Sequence, residues 1–145
     1  MIRLAIQVRD RLRAAAMPPL AAVEGIAELK AIEKGIQPDS GAAFVAPHGD
    51  IPRPNVTIGG HRQQCEASIL VALVVRSYVD GTGTDGLVLM DGYVAAVWAA
   101  LVGWTPDPAL YPPLNYAGMM GSTLGDAGDY WLISRWTTTR FITGG

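Results

Sequence analysis

The spacing of hydrophobic residues in the first quarter of the chain indicates two helices separated by a short strand. Apolar residues recur every three or four positions across residues 2–15, with arginines between them, and Pro18-Pro19 is expected to end this helix. The apolar stretch Leu20–Val23 predicts an edge strand. Residues 26–34 return to helical spacing, and Gly35 is expected to end this second, short helix.

The middle of the chain changes to the pattern of strands. Ala42–Ala46 predicts a short buried strand that Pro47 closes, and the Pro- and Gly-rich residues 47–60 are expected to form a long loop or an extended arm. The segment Arg62–Tyr78 alternates as a strand does, but its centre is apolar at both odd and even positions. A strand with two apolar faces is expected to lie centrally in its sheet.

A long helix is predicted next, because Thr84 or Asp85 can cap a segment that continues to about Val102 and ends at Gly103. Its predicted core stripe follows a three–four spacing and consists of Leu87, Met90, Val94, Val97 and Leu101. A second stripe starts at Asp91 and otherwise contains alanines. These small residues could accept close packing from another element.

The last third of the chain predicts two more strands. Trp104–Pro113 is punctuated by prolines and is expected to form a crossover, residues 115–124 predict a weak strand, and Tyr130–Thr143 is rich in β-forming residues. Strands that follow one another without an intervening helix favour an antiparallel or mixed sheet. The prediction is therefore a single α+β domain over residues 1–145, with about four to five strands flanked by two to three helices.

The composition narrows the classes of function. Half of the residues are hydrophobic and 17% are charged, which excludes a disordered chain. The mean hydropathy of +0.23 indicates that a partner buries some of the apolar surface. The formal net charge of −2 argues against binding to nucleic acid or to a membrane surface through bulk charge. The arginines of the first helix are expected to lie on a solvated face.

The single cysteine and the short apolar runs indicate in which cellular compartment the chain is expected. Cys65 is the single cysteine of the sequence, so an internal disulfide is excluded and a reducing compartment is expected. No secretory signal is expected, because Arg3, Arg9, Asp10 and Arg11 interrupt the apolar residues at the start. The most apolar run, Ile69–Val75, is too short to cross a bilayer.

The segment Gly81–Gly86 matches the G-x-G-x-x-G pattern of dinucleotide-binding turns, and it lies between a predicted strand and a predicted helix. Two features argue against this function. No second apolar strand with a terminal acidic residue follows the helix, and Asp80 and Asp85 would place negative charge beside the phosphates. The turn is therefore interpreted as a helix cap, and no cofactor is expected.

Neither a metal site nor catalytic residues are predicted. His61 and Cys65 are four residues apart, which on a strand separates them by roughly 13 Å, too far for one metal ion. The carboxylates fall mostly in turns, and no pair is suited to acid–base catalysis. Arg135 and Arg140 lie among aromatic residues in the last strand, a combination that can bind single-stranded nucleic acid. A sheet face that meets another subunit is the favoured interpretation.

Several short stretches, in this order, resemble the tail terminator (tail completion) proteins of Mu-like and related phages. They are Val23-Glu24-Gly25, Ala42-Ala43-Phe44-Val45, Gly59-Gly60 with Arg62-Gln63, Ala99-Ala100-Leu101-Val102-Gly103-Trp104-Thr105-Pro106, Leu114-Asn115-Tyr116-Ala117-Gly118, and the final strand with Trp131, Arg135 and Thr137-Thr138. The resemblance implies a non-enzymatic virion protein that forms a homohexameric ring. Such a ring would cap the head-proximal end of the tail tube and join it to the head connector, with a lumen wide enough for DNA.

A ring requires two different patches on each subunit. The residues predicted at the subunit interface are Pro52, Pro54, Asn55, Arg62, Asp91, Arg135, Trp136 and Arg140. Before assembly the chain is expected in the host cytoplasm. Three alternatives stay open: another neck, connector or tail-tube ring protein, a nucleotide-binding enzyme that uses the Gly81–Gly86 turn, and a monomeric domain whose own helices cover its apolar strand.

Overall fold

The structure is a computed structural model that describes residues 2–25, 39–55, 58–76, 84–122 and 129–144. Within these ranges the chain forms two helices and five strands, which confirms the predicted α+β fold. In chain order these elements are α1 (Ile2–Ala15), β1 (Ala22–Glu24), β2 (Ala42–Pro52), β3 (His61–Arg76), α2 (Thr84–Leu101), β4 (Asn115–Ser122) and β5 (Asp129–Gly144). The predicted helix over residues 26–34 and residues 81–83 of the Gly81–Gly86 turn lie outside the described residues, and α2 begins at Thr84 of that turn.

The described strands form one mixed sheet in the order β1-β2-β3-β5-β4. Only β1 and β2 pair in parallel, and the other neighbours are antiparallel. The predicted central position of β3 is confirmed, because it pairs along its whole length with β5 and over most of its length with β2. Its two apolar faces therefore have neighbours on both sides, as expected for a strand inside a sheet.

The helices cover one face of this sheet. Odd-numbered residues of β3 from Ala67 to Val75 pack there with Leu4, Val8 and Leu12 of α1 and with residues of α2. Even-numbered residues face the opposite side and form a smaller cluster, in which the ring centroids of Phe44 and Trp131 lie 5.8 Å apart. The cluster contains Ala42, Phe44, Ala72 and Val74, with Ala22, Trp131 and Ile133 partly buried against it.

The sequence predicted that the arginines of α1 lie on a solvated face, but two of them make hydrogen bonds to other parts of the chain. Arg11 donates a hydrogen bond of 3.0 Å to the carbonyl oxygen of Ala100, and its guanidinium lies 5.7 Å from the ring centroid of Trp104. Arg13 donates to the carbonyl oxygen of Val23 at 2.9 Å. These side chains join α1 to the end of α2 and to β1, because a long arginine can lay its apolar stem on the protein and still reach a carbonyl.

The predicted loop over residues 47–60 is wrong for its first part, because β2 continues through Pro47 to Pro52. The pairing register shifts between Pro47 and Gly49, which marks an irregularity of the bulge type. Prolines are tolerated here because β1 pairs only with residues 42–44, so the outer edge of β2 needs no further N–H donors.

The helix α2 ends as predicted, with Gly103 in the left-handed region at a φ of +73°. Its buried side agrees with the predicted stripe at Met90, Val97 and Leu101, and Val94 packs against the same core. Leu87, the first member of that stripe, is exposed. No helix among the described residues is both long and apolar enough to cross a membrane.

Candidate assembly surfaces

One end of the sheet is a ribbon that neither helix covers. We define the ribbon end as residues 50–55, 58–66 and 139–144. Successive residues 141–144 of β5 are all exposed, although neighbouring positions of a strand point to opposite faces. Both faces of the ribbon end are therefore open to solvent at this point. At the tip, the side chain of Asn55 accepts from the backbone N–H of Arg62 at 3.1 Å and donates to the carbonyl oxygen of Gly60 at 3.3 Å.

The ribbon end combines apolar and basic side chains. Ile51, Phe141 and Ile142 are large apolar residues on its surface, and the guanidinium of Arg62 lies 3.8 Å from the ring centroid of Phe141. A guanidinium this close to an aromatic face is attracted by the ring electrons. The contact keeps the Phe141 ring in place without removing it from solvent, since the ring is 48% exposed.

Ion pairs across the strands leave positive charge in excess here. Arg140 pairs with Asp50 across the ribbon. Glu66 is shared by two arginines, with Arg135 at 3.0 Å and Arg53 at 3.6 Å. One carboxylate cannot neutralise two guanidinium groups, so this group of three retains a net positive charge.

A second open surface lies on α2. We define the helix face as Leu87, Val88, Asp91, Ala95, Trp98 and Val102, which are all exposed. Positions 87, 91, 95, 98 and 102 lie three or four residues apart, so they form a continuous stripe along one side of the helix. The exposed fraction reaches 67% at Val88 and is 42% for Trp98. Several large apolar side chains are thus contiguous, which differs from the scattered exposure normal for a monomer.

Aromatic contacts anchor the helix face to the sheet. The ring centroids of Trp98 and Tyr116 are 5.1 Å apart, and those of Tyr116 and Trp136 are 5.4 Å apart. Trp136 is fully buried, and its indole N–H donates to the hydroxyl of Ser134 at 2.8 Å. The exposed indole of Trp98 is therefore supported by a row of rings that leads into the core.

The structure brings most of the predicted interface residues together. The ribbon end contains five of them: Pro52, Pro54, Asn55, Arg62 and Arg140. The other three, Asp91, Arg135 and Trp136, lie elsewhere in the structure.

Arg135 adjoins the ribbon end through Glu66, and Asp91 lies apart from it on the helix face. Trp136 offers no side-chain surface to a partner, because the chain buries it completely. Side chains alternate between the two faces along β5, and this alternation places Trp136 on the face that the helices cover. The sequence pattern by itself did not show which of the two faces that would be.

The sequence prediction missed Trp98, Val102 and Tyr116 as surface residues, and it assigned Leu87 to the core. A signal was present: α2 contains two aspartates and no lysine or arginine, and it is apolar nearly all round. A helix of that kind is usually buried on more than one side. Since the sheet covers only one side of α2, the pattern was consistent with a partner on the other.

The described residues contain no group of three or more His, Cys, Asp or Glu side chains placed to hold a metal ion. His61 is exposed and lies 3.1 Å from the side-chain oxygen of Gln63, whereas Cys65 is buried. His61 and Cys65, which the sequence predicted to lie too far apart to share one metal ion, therefore also differ in access to solvent.

Comparisons with known proteins agree with this fold. A family model described as phage tail terminator protein matches residues 5–142. No curated protein sequence gives a match. A chain of a solved structure, "Virion of native gene transfer agent (GTA) particle", superposes with a TM-score of 0.54 at 15% identity, over 95% of this chain and 94% of that chain. At this identity the superposition shows a shared fold. The expected relation to Mu-like phages stays a prediction.

Proposed function

The chain belongs to the phage tail terminator family, and from this premise we propose that it forms a homohexameric ring at the head-proximal end of a tail tube. The family consists of structural virion proteins, so the coarse assignment is a structural role in the tail. The finer proposal is that the ring stops further growth of the tube. Its opposite side would then join the tube to the head connector, and DNA would pass through its lumen.

The observation that carries the ring is the presence of two unlike open surfaces on one small chain. A closed ring needs heterologous interfaces, in which one patch of each subunit meets a different patch of the next. The ribbon end is apolar and basic, whereas the helix face is apolar and acidic. A monomer of this size would gain nothing from leaving both exposed.

The residues proposed at the subunit interface follow from these two surfaces. Pro52, Pro54, Asn55, Arg62 and Arg140 lie at the ribbon end, so they can contact a neighbour directly. The hydrogen bonds of Asn55 to Arg62 and Gly60 support this role, because residues already held by such bonds lose less entropy on binding.

Two more residues belong to the proposed interface. Arg135 would act beside the ribbon end, where it shares Glu66 with Arg53. Asp91 would act from the helix face. The expected cytoplasmic stage before assembly belongs to the same proposal.

Electron cryomicroscopy of the particle tests the proposed function. We expect one sixfold layer of this chain between the tail tube and the head. Particles assembled without the chain should contain overlong tubes that lack heads, and adding the purified chain to such tubes should cap one end and stop elongation.

The distribution of the chain distinguishes this function from its alternatives. Copies repeated along the whole tube would identify a tube subunit, and a layer confined to the portal of the head would identify a connector. Either outcome contradicts the terminator proposal. A control variant for the capping experiment is Asp10→Arg. It changes the charge of an exposed residue of α1 outside both surfaces, so it should cap tubes as the natural chain does.

A further inference from the structure

We propose that the ribbon end of one copy packs on the helix face of the next copy around the ring. This inference rests on the proposed function and specifies which two patches meet. The occupant of the helix face is therefore a second copy of this chain, and the contact repeats in the same direction at every subunit boundary.

Charge is the first argument for this pairing. The arginines of the ribbon end and its neighbour Arg135 outnumber the carboxylates that pair with them, Asp50 and Glu66. The helix face carries Asp91, which is exposed and makes no ion pair with any residue in the described part of the chain. An apolar surface with one unpaired carboxylate complements an apolar surface with an excess of guanidinium groups.

The alternatives are less favourable for the same reason. Contact between two helix faces would place one Asp91 near another, and contact between two ribbon ends would bring arginines together. Like charges across an interface are repelled, and a patch that binds itself closes as a twofold dimer and leaves no open site for a ring.

Shape and composition are the second argument. At the ribbon end, Ile51, Phe141 and Ile142 are exposed, and the neighbours Phe141 and Ile142 point to opposite faces of β5. The helix face presents Trp98, whose ring is supported from behind by Tyr116 at 5.1 Å. Aromatic anchors held in place by the fold are typical of the residues that dominate interface affinity.

A mixing experiment tests the pairing. Trp98→Asp removes the helix face and leaves the ribbon end intact, and Phe141→Asp does the reverse. We expect each variant to be monomeric by native mass spectrometry under conditions in which the natural chain forms rings. An equimolar mixture should give a one-to-one heterodimer and nothing larger, because each pair retains a single intact interface.

The outcomes separate this inference from the ring itself. If the natural chain forms rings and the mixture stays monomeric, the pairing is wrong and the ring stands. If either variant forms a dimer on its own, like patches meet and the pairing is also wrong. A natural chain that stays monomeric at every concentration and is missing from the tail contradicts the proposed function.

Two further variants protect the test from misfolding. Val102→Asp and Ile142→Asp change a second exposed residue of each patch and should give the same mixing result. The charge argument has its own measurement: Asp91→Arg should weaken assembly at least tenfold at low salt. The same substitution at Asp10, outside both patches, should leave assembly unchanged, and equal effects of the two would overturn the role of Asp91.

Discussion

Arg76 and Asp129 lie directly opposite each other at one end of the pairing between β3 and β5, where Arg76 Nε lies 3.3 Å from Asp129 Oδ1. Their side chains are only 9% and 14% exposed, so this is the most buried ion pair among the described residues. The backbone N–H of Arg76 also donates to the hydroxyl of Ser40 at 3.0 Å. The pair therefore holds the central strands together at the end opposite the ribbon end.

Removing one partner of this pair is expected to destabilise the monomer strongly. Arg76→Ala leaves the buried Asp129 carboxylate without its guanidinium, which costs about 3–5 kcal/mol. Urea unfolding monitored by circular dichroism gives the free energy of unfolding. The double variant Arg76→Met/Asp129→Leu should be more stable than Arg76→Ala, because no lone carboxylate is left. A matched exposed pair, Arg9 and Asp10, should lose less than about 1 kcal/mol on Asp10→Ala.

Gly41 is expected to tolerate no side chain. Its φ of +88° is in the left-handed region, and a Cβ built there would lie 2.8 Å from the hydroxyl oxygen of Tyr93. Gly41→Ala should therefore cost about 1–2 kcal/mol from the backbone conformation, and more from displacement of the ring. Thermal unfolding measures the loss. Gly49→Ala is the control, because nothing lies within 4 Å of a Cβ added there. The stability of this variant should be nearly that of the natural chain.

The two tryptophans Trp136 and Trp98 are expected to affect different properties. Trp136→Ala opens a cavity in the core and leaves the Ser134 hydroxyl without its indole donor, at a cost of about 3–5 kcal/mol in the free energy of unfolding. Trp98→Ala removes an exposed ring and should cost about 1 kcal/mol or less. Unfolding curves of both variants at monomeric concentrations make the comparison. A larger loss for Trp98→Ala would contradict the assignment of the helix face as surface.

Cys65 is expected to react slowly with thiol reagents. It is 1% exposed and lies between Pro52 and Arg140 in register. A buried thiol reacts only when the structure opens. Its rate with a disulfide reagent should rise when urea unfolds the chain. The control is Gln64→Cys in a Cys65→Ala background: Gln64 is exposed on the opposite side, so its replacement should react at the rate of a free thiol.

The course of the chain through its described elements was largely predictable from local pattern. Alternation in Arg62–Tyr78 and Tyr130–Thr143 located β3 and β5 within a few residues, and glycine at 103 ended α2 where the periodicity stopped. The extension of β2 through Pro47 was not predictable in this way. A proline prevents a strand only where its missing N–H is needed, and that depends on β1 being too short to pair beyond residue 44.

The composition of the candidate interface was also partly predictable. Proline, asparagine and arginine around residues 52–62 indicated a segment able to contact a neighbour, and most of these residues lie at the ribbon end. Trp136 was misassigned because a tryptophan on a strand is equally consistent with a core and with an interface. Which of the two applies depends on whether a helix covers its face.

The sequence by itself determined the α+β class, the central strand and the membership of a structural tail family, because these depend on local periodicity and on ordered motifs. The three–four spacing also indicated Met90, Val97 and Leu101 as core residues of α2. Only the tertiary structure decided that Leu87 of the same stripe stays exposed and that the side of α2 with Trp98 is left uncovered. A helix that is apolar nearly all round contains only a weak local signal for the extent of its buried side, so long-range packing determines which surface stays open.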